Sequence, residues 1–227
     1  MVNVRPETTE RDCRESLQGG NLMDTIPKSI FESAYAGQAP WDVGRPQASF
    51  VNVADRIQGS VLDSGCGTGD IALYFAERGQ KVTGIDYLAE PIARAKRKAA
   101  ERGLSVNFLE MDALTLANLP EVFDSVIDSG LFHTFSDADQ RKYVKGLASV
   151  TKPGGRLFLL CFSDAEPAGQ GPKRISRREL EASFAHGWVI ESLEPARFEV
   201  RPDLQEIRFS EGGPKAWFLI ARRSGSA

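Results

Sequence analysis

A glycine-rich stretch between two aspartates is the part of the sequence whose residue types and spacing most directly suggest chemistry. It reads VLDSGCGTGD from Val61 to Asp70, with glycines at positions 65, 67 and 69. A dinucleotide-binding loop spaces its glycines as GxGxxG, and here Asp70 stands where the third glycine of that pattern would fall. Because glycine lets the backbone approach a ligand closely, the stretch predicts a ligand-binding loop of a different type.

The charges of this loop predict the ligand. Asp63 and Asp70 would repel a pyrophosphate, and the repulsion grows in a partly buried site. S-adenosylmethionine carries a sulfonium and an ammonium, offers one carboxylate to the N-terminus of the following helix, and has no phosphate. We therefore expect this loop to bind S-adenosylmethionine. The predicted contacts are Asp63, Gly65, Cys66, Gly67 and Gly69.

Two further acids end the next two predicted strands. Asp86 closes VTGID, where a carboxylate can accept hydrogen bonds from both hydroxyls of a ribose. Asp112 closes FLEMD, where a carboxylate can accept from an adenine amino group. Each acid alone is equally well explained as a helix cap or a solvated turn, but in this order after the loop they predict a nucleoside site. The remaining cofactor contacts predicted at strand ends are Tyr87, Ala113, Asp128 and Ser129.

The elements that must position these residues alternate between strands and helices. Apolar strand patterns occur at SVLDS, KVTGID, SVNFLEMD, FDSVIDSG and RLFLLCF, and WVIESLE and KAWFLIAR predict two last strands. Two later helices begin after Ser136 and Ser176, each with an acidic residue three positions on, and Gly187 is expected just past the end of the second. The alternation predicts an α/β fold, a doubly wound and mostly parallel sheet with helices on both faces.

The sequence divides into two segments with different predicted roles. Residues 46–227 hold the alternating pattern and are predicted to form one S-adenosylmethionine-binding domain. Residues 1–45 are predicted to form an N-terminal arm and a lid over the active site, because the first twenty or so are polar and show no apolar period.

Composition excludes several classes of protein. The chain has 227 residues, a formal net charge of -3 and a sequence pI near 5.6. This charge argues against a protein that coats nucleic acid, because such proteins usually carry a strongly basic face. Its basic run RAKRKAAER shares a helix with inward-facing alanines and is interpreted as a solvated face. The three cysteines show no metal spacing, so we expect a reducing compartment and no metal. The chain lacks an apolar signal core or membrane-length run, so a cytoplasmic location, with neither membrane nor nucleic acid as a partner, is expected.

Taken together, these motifs resemble the class I S-adenosylmethionine-dependent methyltransferases. The matching pieces are VLDSGCGTGD, VTGIDYL, FLEMDAL, FDSVIDSGLFH and LASVTKPGGRLFLLCF, which cover most of residues 61–162. The resemblance implies a Rossmann-like, seven-stranded sheet with the last strand inserted antiparallel. It also implies that the N-terminal segment lies over a small-molecule methyl acceptor.

Two narrower resemblances leave the acceptor open. The segment FESAYAGQAPWDVGRPQ is similar to the lid of thiopurine methyltransferases and of plant halide and thiol methyltransferases. The pieces DSGLFHTFSD, LLCFSD and GPKRIS look closer to small bacterial methyltransferases that act on phenolic, quinone-like and heteroaromatic compounds. The first favours a thiol or halide acceptor. The second favours a small aromatic acceptor that is methylated at oxygen, nitrogen or sulfur by direct displacement, and this is our leading interpretation.

Four residues are predicted to contact the acceptor, namely Tyr35, Trp41, Phe132 and His133. His133 follows the fourth strand, where an imidazole could remove a phenolic or thiol proton at neutral pH. Trp41 is also a candidate cofactor contact, through a cation–π arrangement with the sulfonium. Arg45 could pair with the cofactor carboxylate or with Asp42.

Two alternatives of other classes remain at this point. A nicotinamide-dependent oxidoreductase could use the same kind of sheet, although the missing glycine at position 70 disfavours it. A binding module could sense S-adenosylmethionine without turnover.

Overall fold

A computed structural model of the chain describes residues 24–169, 171–201 and 209–225. The arm predicted for the first twenty or so residues lies outside this part. Within these ranges seven strands form one sheet, and they are β1 (Val61–Ser64), β2 (Val82–Asp86), β3 (Asn107–Glu110), β4 (Phe123–Ser129), β5 (Thr151–Phe162), β6 (Trp188–Arg197) and β7 (Lys215–Arg223). Their spatial order is β3-β2-β1-β4-β5-β7-β6. β1 to β5 pair in parallel, and β7 runs antiparallel to both of its neighbours, which confirms the predicted sheet.

The helices are α1 (Lys28–Tyr35), α2 (Ala48–Val51), α3 (Asp70–Glu77), α4 (Ala89–Glu101), α5 (Asp137–Val150) and α6 (Arg177–Ser183). Short 3-10 turns occupy Ala54–Arg56, Ala113–Asn118 and Phe132–Thr134. Both predicted caps are present. The Ser136 side chain accepts from the N–H of Asp139, and Ser176 forms a complete capping box with Glu179, so that each helix start is satisfied locally.

The core lies in two layers, one on each face of the sheet. Along β5, Leu157 and Leu159 face the layer that holds α5 and α6, whereas Phe158 and Leu160 face the layer that holds α3 and α4. This is the two-residue alternation of a strand that is covered on both faces. Because β1 to β5 pair in parallel, their carboxyl ends lie at a common edge of the sheet.

Two element boundaries differ from the sequence prediction. β5 begins at Thr151, directly after α5, because Thr151 pairs with Phe123 ahead of a register shift in the β4–β5 ladder. α6 ends at Ser183 rather than next to Gly187, since the following Phe184 is buried and closes the helix through its N–H to Leu180. None of the helices in the described ranges is long and apolar enough to cross a membrane.

Candidate active site

A cavity of about 490 Å³ opens at the carboxyl ends of the parallel strands. Its walls are the loops that follow β1 to β5, the described part of the lid (residues 25–45, including α1), Gln47 and the connection between β6 and β7. Ligands of doubly wound sheets bind at this edge, where the strand order reverses on either side of β1. Cavities of roughly 300–1,000 Å³ are typical of small-molecule sites.

The glycine loop after β1 is held by the end of β2. The N–H groups of Gly65 and Cys66 both donate to the carbonyl oxygen of Ile85, at 2.9 and 2.8 Å. Gly67 has a φ of +51°, and a Cβ at this position would lie 2.6 Å from the Tyr35 hydroxyl. The loop therefore needs glycine at position 67 both for its backbone conformation and for the closeness of the lid.

Asp63 is the one acid of the cavity whose carboxylate is left incompletely satisfied within the described residues. The residue is 1% exposed, and its Oδ2 atom has no hydrogen-bond partner there. Burial, together with the nearby Asp128, raises the pKa of Asp63 to about 7. An unpaired carboxylate in such a place favours a cation, and the ammonium of S-adenosylmethionine fits that requirement.

Asp86 ends β2 as predicted, whereas Asp112 stands two residues past the end of β3, and both side chains also accept from the backbone. Asp86 accepts from the N–H groups of Gly67, at 3.1 Å, and Leu88, at 3.0 Å, while burial raises its pKa to about 6. Asp112 caps the following turn by accepting from Leu114 N–H at 2.8 Å. Each carboxylate lines the cavity and has acceptor capacity left, so the capping and nucleoside-binding interpretations are compatible.

Most of the residues predicted from the sequence come together around this cavity. Those that line it are Tyr35, Trp41, Arg45, Asp63, Gly65, Cys66, Gly67, Asp86, Tyr87, Asp112, Ala113, Ser129 and His133.

Three predicted residues do not line the cavity, and the backbone explains why. Gly69 turns toward the core, where a Cβ would meet Phe108 at 2.8 Å. Asp128 is fully buried and closes the loop after β4 by accepting from the N–H groups of Leu131 and Phe132. Phe132 is also fully buried, because its 3-10 turn directs the ring into the core. In this structure Gly69 and Asp128 therefore support the loops, and Phe132 packs in the core.

The lid is tied to the domain by polar contacts that sequence reasoning did not assign. Within the lid, Trp41 donates from Nε1 to the Tyr35 hydroxyl at 2.9 Å. Arg45 pairs with Glu199 at 3.2 Å rather than with Asp42, which was one of the two partners considered for it from the sequence. Asp42 accepts instead from the hydroxyl of Thr68 at 2.9 Å. The lid thus contacts both the glycine loop and the segment after β6.

His133 lies on the cavity wall with one ring nitrogen committed. Its Nδ1 accepts a hydrogen bond from the N–H of Phe162 at 2.8 Å, and the residue is 5% exposed. Burial, with a smaller contribution from the positive charge of Arg174, lowers the pKa of His133 to about 3. The geometry therefore disfavours the proton-accepting role predicted from the sequence, because a neutral ring in this setting resists protonation.

Aromatic side chains missed by sequence reasoning surround His133. Phe162 lies 4.9 Å and Phe198 5.7 Å from it between ring centroids, and Phe135 and Phe209 complete the wall. Phe162 ends β5, so the strand-end rule that located Asp86 could have found it. Phe198 and Phe209 stand in an irregular connection with no periodic signal. The cavity accordingly has a polar half beside β1 to β3 and an aromatic half beside β4 and β5.

Comparison with known proteins finds that this chain is similar to methyltransferases. The family described as "Methyltransferase domain" matches residues 61–155. The 2-heptyl-1-hydroxyquinolin-4(1H)-one methyltransferase of Mycobacteroides abscessus is 34% identical over 206 residues, which cover 85% of this chain and 87% of that protein.

Solved structures agree with this in fold. A structure described as "Conversion of a Disulfide Bond into a Thioacetal Group during Echinomycin Biosynthesis" has a TM-score of 0.77 and 35% identity, covering 88% of this chain and 94% of the other. The Burkholderia thailandensis 1,6-didemethyltoxoflavin-N1-methyltransferase, solved with its acceptor and S-adenosylhomocysteine, has a TM-score of 0.63 and 20% identity, covering 98% and 94% of the two chains. The second likeness supports the fold alone.

Proposed function

This chain belongs to the class I S-adenosylmethionine-dependent methyltransferases, and from that premise we propose that it methylates a small aromatic acceptor, at an oxygen or a nitrogen, by direct displacement. S-adenosylmethionine, when bound, supplies an electrophilic methyl group. The protein's contribution to such a reaction is alignment of the two reactants and exclusion of water.

The observation that carries the proposal is the division of the cavity into two halves. The glycine loop with Asp63, Asp86 and Asp112 offers close backbone and acid acceptors, which suit the amino acid, ribose and adenine parts of the donor. Phe162 and Phe198 give the other half a surface on which a flat ring can stack. The Mycobacteroides abscessus relative is named for an aromatic heterocycle with an alkyl chain, a compound of the character that this half favours.

The lid completes the proposal. We assign residues 1–45 to an N-terminal arm and lid over the active site and residues 46–227 to the domain that binds the donor. Within the described part, Tyr35 and Trp41 line the cavity, and Asp42 joins the lid to the glycine loop through Thr68. Closure by such a segment excludes water from the methyl group in transit.

The direct test follows label from donor to acceptor. Methyl-labelled S-adenosylmethionine would be incubated with the protein and a pool of hydroxyquinolones, phenols, quinols and heteroaromatic amines, and products read by mass spectrometry. Label in an aromatic product is the expected result. Absence of label transfer to any of them, with donor binding intact by calorimetry, would contradict the aromatic acceptor.

A sulfur acceptor is the second candidate. It is favoured by the structure named for conversion of a disulfide into a thioacetal, with which this chain shares 35% identity. Adding small thiols and iodide to the same pool separates the two, because label in a methyl sulfide or methyl iodide would move the protein to that branch.

A further inference from the structure

The backbone of β5 fixes which nitrogen of His133 carries the proton. A peptide N–H can only donate, so the Nδ1 atom that receives the Phe162 N–H must be unprotonated. The neutral ring then carries its proton on Nε2. A second proton at Nδ1 would point at the Phe162 N–H and break a buried hydrogen bond. His133 is thus arranged as a hydrogen-bond donor through Nε2.

The groups packed around His133 reinforce this state. β5, the loop after β4 and the segment after β6 present Phe162, Gly130 and Phe198, all uncharged. The charged side chains nearby are Arg174, whose guanidinium lies over the Phe162 ring at 5.2 Å from its centroid, and Glu166, which interacts electrostatically with Arg174. The positive charge of Arg174 opposes an imidazolium and attracts an anion, and Glu166 offsets part of this effect.

Apart from His133, the aromatic half offers no proton-accepting side chain among the described residues that line it. The polar side chains there and at its edge are Ser129, Thr134, Thr25, Gln47 and Arg45, and the Thr134 hydroxyl donates to the Leu131 carbonyl oxygen. Arg45 is a cation paired with Glu199, which follows Phe198 and does not line the cavity. The acids of the cavity lie on the lid, in the glycine loop and α3, and at the ends of β1, β2 and β3. A proton on an acceptor bound beside His133 therefore meets no base in this half of the site.

From this arrangement we propose that the acceptor is an aromatic oxygen acid that enters as its anion, and that His133 donates from Nε2 to the oxygen bearing the negative charge. The inference rests on the proposed function and names its substrate class: N-hydroxy heteroarenes and acidic phenols whose own pKa lies near or below neutral pH. His133 is on this view a specificity-determining donor.

The transfer step balances without a base. The acceptor loses its proton to solvent before it binds. A lone pair of its oxygen forms the new O–CH₃ bond while the C–S bond breaks, and the electrons of that bond go to sulfur. Cationic sulfonium and anionic acceptor become a neutral thioether and a neutral ether. Because charge is lost in this step, an aromatic, water-poor chamber favours it.

The first test reads the histidine itself. In protein labelled with ¹⁵N-histidine, His133 is assigned by comparison with His133→Gln, since the sequence has only two histidines. The expected spectrum has a protonated Nε2 and an unprotonated Nδ1, unchanged from pH 5.5 to 9. Titration of His133 within this range, or a proton on Nδ1, would overturn the inference whether or not an acceptor is turned over.

The second test uses two acceptors of different acidity, 1-hydroxyquinolin-4(1H)-one and a more acidic ring-nitrated derivative. The lower limb of kcat/KM against pH should shift with the solution pKa of each acceptor. One apparent pKa common to both would indicate an enzyme base and overturn the inference.

Two variants complete the design. His133→Gln keeps a donor at the Nε2 position and cannot act as a base, whereas His133→Leu removes the donor. We expect His133→Leu to lose roughly 10- to 100-fold in kcat/KM, as for a hydrogen bond to a charged group, and His133→Gln to recover most of it. Equal loss in both would overturn the donor role. Unchanged S-adenosylhomocysteine affinity controls for folding, and no turnover of either acceptor by the wild type would count against the proposed function instead.

Discussion

Thr68 donates its hydroxyl hydrogen to the Asp42 carboxylate at 2.9 Å, joining the glycine loop to the lid across 26 positions of sequence. Lys98 of α4 donates to the same Thr68 oxygen at 2.8 Å and pairs with Asp70 at 2.9 Å. The Thr68 hydroxyl is therefore hydrogen-bonded both to Lys98 on α4 and to Asp42 in the lid. We therefore expect donor binding and the position of the lid to be linked through this contact.

Thr68→Val should weaken S-adenosylmethionine binding. The substitution keeps the β-branched shape but leaves Asp42 without this donor, and hydrogen bonds to a charged group contribute about 1.5–3 kcal/mol. Partial solvation of the pair reduces the loss, so we expect the Kd measured by calorimetry to rise roughly 3- to 10-fold. Thr83→Val is the matched control, since Thr83 lies on β2 at 1% exposure and does not line the cavity. Equal weakening in both variants would contradict the link.

Gly67→Ala should abolish donor binding at a modest cost in stability. A methyl group there clashes with the Tyr35 hydroxyl, and the positive φ adds about 1–2 kcal/mol of strain. Gly103→Ala is the control, because Gly103 has a φ of +65° and a Cβ there would meet nothing within 4 Å. Thermal melting should show a similar destabilisation in both variants, whereas only Gly67→Ala should lose affinity for S-adenosylmethionine.

A relief experiment tests the cause of that loss. Tyr35→Phe removes the oxygen that the new methyl group would contact, and the next ring atom lies at 3.7 Å. The double variant should therefore regain binding toward the level of Tyr35→Phe alone. If the double variant does not regain binding, backbone strain rather than contact with Tyr35 causes the loss of affinity in Gly67→Ala.

The pH dependence of stability should report on Asp63. With a folded pKa of about 7 against an ordinary value of 3.8, the native state holds a proton that the unfolded chain has released. The free energy of unfolding of the ligand-free protein therefore falls as pH rises from about 4 to about 7, and the contribution of Asp63 levels off above that. Asp63→Asn should make the dependence of Tm on pH less steep between pH 5 and 7. The slope due to Asp86 and Asp128 should remain, because burial raises their pKa values to about 6 and about 7.

Asp124 provides the control for this slope. Hydrogen bonds from Lys152 and Ser60 lower the pKa of Asp124 to about 2, so it stays ionised throughout the measured range. Asp124→Asn should shift Tm by the same amount at every pH from 5 to 8. An unchanged slope in Asp63→Asn would show that another buried acid holds the proton.

The sequence predicted the site residues whose positions follow from the parallel sheet, and it did not predict the orientations or contacts that depend on irregular segments. Asp63, Asp86 and Asp112 could be placed because parallel strands end at one edge, whatever the details of the loops. The orientations of Asp128 and Phe132 could not be predicted from a local pattern. Asp128, near the end of β4, turns inward to accept from the loop after the strand, and Phe132 lies in a 3-10 turn that carries no periodic signal. The Arg45–Glu199 pair joins residues 154 positions apart through two irregular segments, and no local pattern encodes such a contact.

Phe198 should determine acceptor affinity without affecting the donor. Its ring packs against His133 and Phe162 on the aromatic wall, and such ring pairs contribute about 0.5–1.5 kcal/mol beyond area burial. Phe198→Leu should raise KM for an aromatic acceptor roughly 2- to 10-fold, since the stacking face is lost while apolar volume is largely kept, and leave the Kd of S-adenosylhomocysteine unchanged. Phe184→Leu makes the same change at a ring that is 1% exposed and packs on Phe132 and Trp188 away from the cavity, so it should lower Tm with KM unaltered. A rise in KM of equal size in both variants would mean that general loosening of the core, and not the aromatic wall, governs acceptor binding.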